Sequence, residues 1–190
     1  SLNIIKYYQT IDSRIKVINN IKNIGLTRSL IKGIAIANGE FIARIDADEY
    51  SKPSRLNKQY IFMKNENLIL CGSQCINIYK KEKRVTQWKH YGNKDLLKKI
   101  LYRTPFPHGT AMFSREAYDL THGYDKRFTT SQDLDLWNKL IKIGKVSMIN
   151  KNLIFRYIED ESITNQRKFK QFIDSTLIRL KYSKIQKFPF

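Results

Sequence analysis

Residues 38–56 of this 190-residue chain read NGEFIARIDADEYSKPSRL and are its most informative segment. An apolar run from Phe41 to Ile45 lies between Gly39 and a turn signal at residues 51–54, which predicts a short buried strand. Three carboxylates within four positions follow the run directly. Because ligands of open α/β sheets bind beyond the carboxyl ends of the strands, the sequence predicts a ligand site here.

The first two of these carboxylates, Asp46 and Asp48, are candidate metal ligands. Their spacing can bring two hard oxygen ligands to one divalent cation, Mg²⁺ or Mn²⁺. Waters and substrate phosphates would complete its coordination shell. An acidic loop that only ends a strand is the alternative interpretation, because two aspartates at this spacing are common by chance.

Composition bounds the class of protein. The length suits one domain with a sizeable core, and 42% hydrophobic residues fit a globular chain. Lys and Arg number 35 against 17 Asp and Glu, which gives a formal charge of +18. Such a charge favours anionic partners, whether nucleotide diphosphates, acidic glycans, anionic lipids or nucleic acid, and does not choose among them.

The two cysteines, Cys71 and Cys75, lie four positions apart on one predicted strand, without a second Cys/His pair to complete a zinc site. This pattern predicts two buried thiols in a reducing cytoplasm rather than a disulfide. The sequence has no evident signal peptide at Ser1, and no apolar run approaches the ~18 residues of a membrane span. A cytoplasmic location is therefore expected.

Hydrophobic periodicity predicts a helix at residues 1–9, a strand at residues 14–18 and a helix at residues 26–37. Gly39 is expected to end the second helix with a left-handed cap. Residues 15–46 are therefore predicted to form one β-α-β unit with a short parallel strand pair.

The rest of the chain continues the alternation of helices and strands. A helix from Pro53 to about Asn65 is expected to carry Leu56, Tyr60 and Met63 on its apolar face. The pattern then predicts a strand at 68–79 with a hairpin partner at 85–91, a helix at 95–102, and closing strands at 145–149 and 153–157. Ser114 is expected to cap a helix that begins at Arg115.

Three stretches resemble the family 2 glycosyltransferases of GT-A fold. The first joins NIGL at residues 23–26, ANGEFIARIDADE at residues 37–49 and PSRLNKQ at residues 53–59. The others are TPFPHGTAMFSREA at residues 104–117, and GYDKRF at residues 123–128 followed by QDLDLW at residues 132–137. The resemblance covers about residues 10–165 and implies an α/β domain, a Rossmann-like mixed sheet flanked by helices.

The resemblance also implies an activity: inverting transfer of a sugar from a nucleotide-diphosphate-sugar, most simply a UDP-sugar, to a hydroxyl of a glycan or lipid-linked acceptor. Bacterial polysaccharide and lipopolysaccharide glycosyltransferases are the members that it is most similar to. Asp46 and Asp48 match the family's D-x-D motif, which holds a divalent metal against the diphosphate. Asp133 matches the family's general base, and His108-Gly109 matches a step on the floor of the site, where Gly109 would let a substrate approach the backbone closely.

Each of these residues also has a structural interpretation. Asp133 would complement the dipole of a helix that begins after Thr130 or Ser131, and His108 would be a structural hydrogen-bonding group. Arg28, on the helix after Asn23-x-Gly25, would either assist the phosphates or lie in solvent. Asp135 lies about 200° round the helix from Asp133, so both cannot face one site, and Asp135 is expected to be structural.

Two departures from the family stand out. Members normally begin with a β-α unit that binds the nucleobase, and this sequence starts inside or after that unit. Residues 1–165 are therefore expected to be a GT-A domain without its first β-α unit. Many members also carry a His shortly after the Arg that matches Arg156, whereas this sequence has no His there and Glu159 or Asp160 could substitute as a metal ligand.

The end of the chain, residues 166–190, is predicted to be a basic amphipathic helix. Such a helix either packs back on the domain or makes peripheral contact with an anionic membrane. Its expected apolar stripe consists of Phe169, Phe172, Ile173, Thr176, Leu177 and Leu180.

Two other classes of function compete with sugar transfer. One is a catalytically inactive glycosyltransferase remnant or partner-binding subunit, which the departure at the start of the chain favours. The other is a basic nucleic-acid-binding protein, which only the net charge of +18 supports. The sequence contains no helix-turn-helix, zinc finger or RNP-like stretch, so no nucleic-acid partner is expected.

Overall fold

The structure, a computed structural model, describes residues 2–79, 84–87, 96, 98–100, 104–158 and 168–183. Its helices are α1 (Leu2–Ile11), α2 (Leu26–Ile36), α3 (Arg55–Glu66), α4 (Arg115–Leu120), α5 (Gln132–Leu140) and α6 (Lys168–Ser183), with a 3-10 turn at His108–Thr110. Its strands are β1 (Phe41–Ala43), β2 (Glu49–Ser51), β3 (Leu68–Tyr79), β4 (Arg84–Gln87), β5 (Met112–Ser114) and β6 (Lys145–Ile158).

The described strands form one mixed sheet in the order β1-β5-β3-β6-β2, with β4 beside β3. Its centre is the long parallel pair of β3 and β6, which runs from Leu68 opposite Lys145 to Tyr79 opposite Ile158. The other pairs, β1 with β5, β5 with β3, β4 with β3 and β2 with β6, are antiparallel. The ends of β1 and β2 therefore flank a short turn, which carries the predicted acidic motif.

Aromatic rings bind the helices to the sheet. The ring of Phe106 lies against Gly72 of β3, where a Cβ atom would lie only 2.2 Å from it. Trp137 of α5 is fully buried, with its ring centre 5.7 Å from that of Phe106 and 6.0 Å from that of Phe113. Burying these rings removes a large apolar area from water and fixes α5 and the segment before the 3-10 turn on the sheet.

Several sequence predictions are confirmed. Helix α2, strand β3, its hairpin partner β4 and helix α5 are present. Of the predicted strand 85–91, residues 85–87 are described and lie in β4. Ser114 caps α4 by accepting a hydrogen bond from the Ala117 N–H, 3.2 Å away. Of the predicted helix 95–102, Leu96 and residues 98–100 are helical and the remainder lies outside the described residues.

The predicted strand at residues 14–18 is wrong, and with it the β-α-β unit. Among the described residues no strand includes this segment, and β1 pairs antiparallel with β5 instead. The Asp12 carboxylate accepts hydrogen bonds from the Arg14 N–H and guanidinium, which closes a local turn, and Ile18 remains exposed. An alternating apolar pattern needs a partner edge to become a strand, and this segment has none.

The left-handed cap at Gly39 is also wrong. Helix α2 ends at Ile36, and the next residue, Ala37, has an extended backbone with φ −77° and ψ 140°. The Arg115 guanidinium donates hydrogen bonds to the carbonyl oxygens of Ile34 and Ala37 at 2.9 and 2.8 Å. A distant side chain thus satisfies the carbonyls that a C-terminal glycine usually serves.

The two closing strands predicted at residues 145–149 and 153–157 are one strand, β6. The register against β3 jumps from Ser73 opposite Ile149 to Gln74 opposite Asn152. The exposed residues between the two predicted strands form a bulge rather than a turn, because both halves keep pairing with the same neighbour.

Helix α3 buries a polar face that the apolar pattern does not reveal. Arg55, Gln59 and Met63 are buried, whereas Leu56 and Tyr60 are 54% and 45% exposed. The predicted inner face is therefore correct only at Met63. The reason is a set of hydrogen bonds from Arg55 and Gln59 to backbone carbonyls, described below.

Both cysteines are buried free thiols, as predicted. Burial raises the pKa of Cys71 to about 12 and that of Cys75 to about 11, so both remain protonated at neutral pH. Glu159 and Asp160, the substitute metal ligands considered above, lie outside the described residues.

Helix α6 packs on α5, but not through the predicted stripe. Its buried residues are Asp174, Ile178 and Tyr182. The Asp174 carboxylate accepts hydrogen bonds from the N–H and hydroxyl of Thr130 at 3.1 and 2.7 Å, which selects this face. The predicted stripe is mostly exposed as a result; Phe169, Phe172, Leu177 and Leu180 are 79%, 64%, 52% and 57% exposed.

Candidate active site

The acidic motif forms a tight turn between β1 and β2. The Glu49 N–H donates to the Asp46 carbonyl at 3.2 Å, and the Glu49 carboxylate accepts from the Asp46 N–H at 3.1 Å. The Asp46 side chain is 33% exposed and forms an ion pair with Arg44 through Oδ1, while Asp48 is exposed at the tip. The turn therefore offers two carboxylates at the surface and a third, Glu49, beneath them.

The buried Glu49 side chain stabilises the turn from inside. Its side chain is only 2% exposed and lies 3.1 Å from the Arg156 Nε atom of β6. Burial raises the pKa of Glu49 above its usual value. A Cβ atom on Gly109 would lie 1.7 Å from Glu49 Oε2, so the carboxylate occupies the space that a side chain there would need. Gly109 thus admits Glu49, where the sequence predicted close approach of a substrate.

Arg55 and Gln59 hold the floor of the site from below. The Arg55 guanidinium donates to the carbonyls of Arg44 and Ala111 at 2.6 and 3.3 Å and to Gln59 Oε1 at 2.8 Å. The Gln59 amide in turn donates to the Thr110 carbonyl at 2.8 Å. Burial lowers the pKa of Arg55 to about 10, so it remains a cation at neutral pH. These bonds join the strand before the acidic turn to the 3-10 turn.

His108 connects the 3-10 turn to α5. Its Nε2 atom lies 2.6 Å from the Tyr124 hydroxyl, and its ring packs edge-on against Trp137 with centres 5.9 Å apart. Burial lowers the pKa of His108 to about 3, which keeps the imidazole neutral. His108 therefore positions the site through hydrogen bonding and packing.

Asp133 and Asp135 of α5 lie in different environments, as their spacing predicts. Asp133 is half-buried, and burial raises its pKa to about 6. Asp135 is fully buried and lies 3.1 Å from Lys139 Nζ, 2.8 Å from Lys181 Nζ and 3.0 Å from the Tyr182 hydroxyl. Asp135 ties α6 to α5, whereas Asp133 faces a cavity of about 320 Å³.

The acidic turn and the start of α5 belong to one electrostatic site. The charge of Asp46 helps to raise the pKa of Asp133, and the Arg44 guanidinium acts in the opposite sense. Both aspartates also raise the pKa of Tyr124, beyond the effect of its burial. The structure thus brings together Asp46, Asp133, His108 and Gly109, which are distant in the sequence.

Arg28 is not brought to this group by any contact among the described residues. It lies exposed on α2. Its neighbour Thr27 is buried and donates a hydrogen bond to the Phe128 carbonyl at 2.7 Å, which anchors the start of α2 near the segment before α5.

The carboxylates suit a divalent cation that takes few protein ligands. Within the described part of the chain no three His, Cys, Asp or Glu side chains cluster as a metal site. Arg44 contacts Oδ1 of Asp46, so Oδ2 and the Asp48 carboxylate are the oxygens suited to ligation. Such a site matches Mg²⁺ or Mn²⁺ completed by phosphate oxygens and water.

Sequence reasoning assigned no role to Arg44, Arg55, Gln59 or Arg156. The signal for Arg44 was a cation inside an apolar run, two residues before the first aspartate. The Arg55–Gln59 pair had a weaker signal, a polar i, i+4 pair just after the motif. The contact of Arg156 with Glu49 joins distant strands and had no local signal.

This mixed sheet flanked by helices has the GT-A fold. The 1–349 chain of S. aureus TarS in complex with UDP has the same fold, with a TM-score of 0.73 and 14% identity over 99% of this chain and 54% of that TarS chain. TarS in complex with UDP-GlcNAc matches equally, at 0.73 and 15% identity over 95% and 53% of the two chains.

The chain belongs to glycosyltransferase family 2: the family description "Glycosyl transferase family 2" matches residues 1–121. The matched range includes the acidic turn and His108-Gly109 and ends before Asp133. Among curated relatives, the O-antigen biosynthesis glycosyltransferase WbnJ of Escherichia coli is 32% identical over 72% of this chain and 53% of its own length. The putative glycosyltransferase EpsE of Bacillus subtilis is 30% identical over 94% and 65%. The chain thus spans about half to two thirds of these relatives.

Proposed function

We propose that this chain carries the catalytic centre of an inverting glycosyltransferase, which moves a sugar from a UDP-sugar to a hydroxyl of a glycan or lipid-linked acceptor in polysaccharide biosynthesis. The observation that carries the proposal is the chain of contacts from the acidic turn to α5: Glu49 lies against Gly109, and the adjacent His108 packs on Trp137, one turn after Asp133. The effect of Asp46 on the pKa of Asp133 agrees with this arrangement. Two carboxylates at one site have separate tasks in sugar transfer, one on each side of the bond that changes. The UDP and UDP-GlcNAc complexes of the similarly folded TarS, and relatives named for O-antigen and amylovoran biosynthesis, support it.

Asp133 is the general base of this proposal. The acceptor hydroxyl oxygen attacks the anomeric carbon, the bond from that carbon to the diphosphate oxygen breaks, and the hydroxyl proton passes to Asp133. A pKa of about 6 leaves the carboxylate ionised at neutral pH yet basic enough to take the proton. Its place on a packed helix, one turn before the buried Trp137, holds it rigidly.

Asp46 and Asp48 would hold the divalent cation. When bound, Mg²⁺ or Mn²⁺ supplies a Lewis acid that stabilises the charge of the departing diphosphate. Arg44 neutralises Asp46 from the protein side and adds a cation near the phosphates. Arg28 is a candidate for a further phosphate contact from the start of α2. His108 and Gly109 form the floor, with the neutral imidazole held by Tyr124.

A thermal-shift titration tests the donor half of the proposal. We expect UDP with Mn²⁺ to raise the melting temperature of the chain, and the Asp48→Asn variant to lose most of this shift. Asp119→Asn removes an exposed carboxylate of α4 and should keep it. Asp133→Asn should also keep the nucleotide shift but lose sugar transfer. The absence of any shift with UDP, GDP, CDP or TDP would reject the proposal and favour an inactive or partner-binding subunit.

We also propose peripheral contact with an anionic membrane, at the cytoplasmic side. Helix α6 exposes Phe169, Ile173, Leu177 and Leu180, which lie on one side of the helix opposite its buried face. The net charge of +18 complements anionic lipid headgroups, which makes a lipid surface the occupant that this face suits best. Among the described residues, no helix is both long and apolar enough to span a membrane.

Vesicle sedimentation tests this contact. The chain should bind phosphatidylglycerol vesicles and not phosphatidylcholine vesicles, with affinity that falls as salt rises. The Leu177→Glu/Leu180→Glu variant should lose binding by about tenfold, because two charges would enter the interface. Leu120→Glu, at a 69% exposed position of α4, serves as the control. Equal binding by the α6 variant and the wild type would reject the lipid-facing role of α6.

A further inference from the structure

The cavity beside Asp133 is bounded on one side by helix α6. Helix α6 lines it with Lys168, Gln171, Phe172, Ser175 and Arg179, and the start of α5 lines it with Asp133. These α6 residues follow the spacing i, i+3, i+4, i+7 and i+11, so they form one continuous stripe along the helix. Its ends, Lys168 and Arg179, are separated by roughly 16 Å at the usual helical rise.

This stripe differs from the other two faces of α6. The inner face carries Asp174, Ile178 and Tyr182 and packs on α5, and the outer face is apolar and exposed. The cavity stripe lies between them and combines cations at both ends with an amide, a hydroxyl and a phenyl ring in the middle. That mixture is neither a core face nor a lipid-facing one.

The chemistry of the stripe matches a saccharide with negative charges. The ring of Phe172 can pack against the C–H face of a sugar, and Gln171 and Ser175 can exchange hydrogen bonds with its hydroxyls. Lys168 and Arg179 supply charge-assisted hydrogen bonds, which carboxylates and phosphates accept most strongly. A cavity of about 320 Å³ lies within the range of small-ligand sites.

The wall is fixed in place rather than loosely apposed. The Asp174 carboxylate accepts hydrogen bonds from the N–H and hydroxyl of Thr130 at 3.1 and 2.7 Å. Thr130 lies in the segment just before α5, close in the sequence to Asp133. Lys181 and Tyr182 contact the buried Asp135 at 2.8 and 3.0 Å. These bonds hold the stripe at a set position relative to Asp133, as a built subsite requires.

We propose that this cavity is the acceptor subsite and that it selects an anionic saccharide, one that carries a carboxylate or a phosphate within reach of Lys168 or Arg179. The inference rests on the proposed function, because it takes Asp133 as the group beside the acceptor hydroxyl. It adds the class of acceptor and assigns its recognition to α6.

Equilibrium binding at constant ionic strength and without lipid tests the inference. The probes are trigalacturonic acid for the carboxylate source, N-acetylglucosamine 1-phosphate for the phosphate source, and maltotriose as the neutral reference. We expect at least one anionic probe to bind about tenfold more tightly than maltotriose. The stronger anionic probe identifies the source of the charge.

Variants separate this subsite from general attraction to a basic protein. Lys168→Gln/Arg179→Gln should weaken anionic binding about tenfold, whereas Lys145→Gln/Lys151→Gln removes the same charge from exposed positions of β6 and should change it less than twofold. Phe172→Ala should weaken all saccharide binding, and Phe169→Ala, on the same helix but outside the cavity, should not.

Several outcomes would overturn the inference: equal binding of neutral and anionic probes, no binding of any probe, or equal losses in the two double variants. The UDP thermal shift of each variant is measured in parallel. A normal UDP shift with failed saccharide selection rejects the acceptor subsite alone. If UDP does not raise the melting temperature of the wild-type chain, the proposed function itself is rejected.

Discussion

The carboxylate of Glu49 fills the place of a side chain at Gly109: a Cβ atom there would lie 1.7 Å from Glu49 Oε2. The two residues come from the acidic turn and the 3-10 turn, so their contact closes one side of the candidate site. Glu49 cannot simply retreat, because Arg156 and the Asp46 N–H hold the same carboxylate.

Gly109→Ala should therefore destabilise the chain by about 1–3 kcal/mol, the usual cost of overpacking a well-packed interior. Gly33→Ala is the matched control, since a Cβ atom at that helical position meets nothing within 4 Å. The control should be neutral or stabilising, because alanine favours helix. Urea unfolding of both variants measures the difference, and equal midpoints would contradict the close contact.

Asp133→Asn should abolish sugar transfer and raise stability at alkaline pH. The pKa of Asp133 is about 6 in the folded chain against 3.8 for an unperturbed aspartate, so folding favours the protonated form. The stabilisation from this group is complete below about pH 4 and is lost as pH rises through about 6. The amide escapes that loss. Melting temperatures at pH 4 and pH 8 measure the effect, and a variant that melts lower at pH 8 would contradict it.

The rate of transfer should follow a single ionisation in the acid range. Activity requires ionised Asp133 and should rise to a plateau above about pH 6, since His108, with a pKa lowered to about 3, does not titrate there. A pH profile of kcat measures this between pH 5 and 8. A second step near pH 6.5 that disappears in His108→Gln would contradict the assignment of a neutral imidazole.

Asp135→Asn should have the opposite signature to Asp133→Asn. Removing the buried charge weakens its contacts with Lys139, Lys181 and Tyr182, at a cost of about 1–3 kcal/mol. The loss should loosen α6 but leave the UDP shift in place. Protease cleavage within α6 and thermal melting report it, and an unchanged melting temperature would contradict the tie between α5 and α6.

Arg55→Lys tests the floor of the site. A lysine cannot reproduce the bonds of the guanidinium to the Arg44 and Ala111 carbonyls and to Gln59, so we expect a loss of about 2 kcal/mol or more. Lys58→Arg, at an exposed position of the same helix, should fall within about 0.5 kcal/mol of the wild type. Equal stabilities of the two variants would show that the polar face of α3 does not support the site.

The parts of the site that were predictable are those written in short strings. Asp46, Asp48, His108, Gly109 and Asp133 stand in motifs, and their roles remain predictions. The structure joins the segments that carry them through Glu49 against Gly109 and His108 against Trp137. The support of these residues was not predictable, because it consists of contacts between distant segments. Apolar periodicity identifies helix faces that are buried because they are apolar. It therefore misses the buried polar face formed by Arg55 and Gln59, which donate hydrogen bonds to backbone carbonyls.

The errors in the fold have the same origin. Residues 14–18 carry an alternating pattern, but strand formation depends on an available neighbour, and none of the described strands pairs with this segment. Helix α6 was recognised, yet Asp174 and its bonds to Thr130 reversed the expected face. One polar contact outweighed the apolar stripe, and no pattern within the helix reports that contact.

The central pairing of β3 with β6 has a consequence for how the chain folds. It joins Leu68–Tyr79 to Lys145–Ile158, so the middle of the sheet unites segments that are synthesised far apart. Strand β2, which begins at Glu49, pairs with β6 among the described strands. Arg156 of β6 forms an ion pair with Glu49. A nascent chain therefore carries an unpaired β3 edge until β6 leaves the ribosome, a long-range closure that folds slowly and exposes the chain to aggregation and chaperones. The acidic turn is completed only at that late step, when Arg156 reaches Glu49.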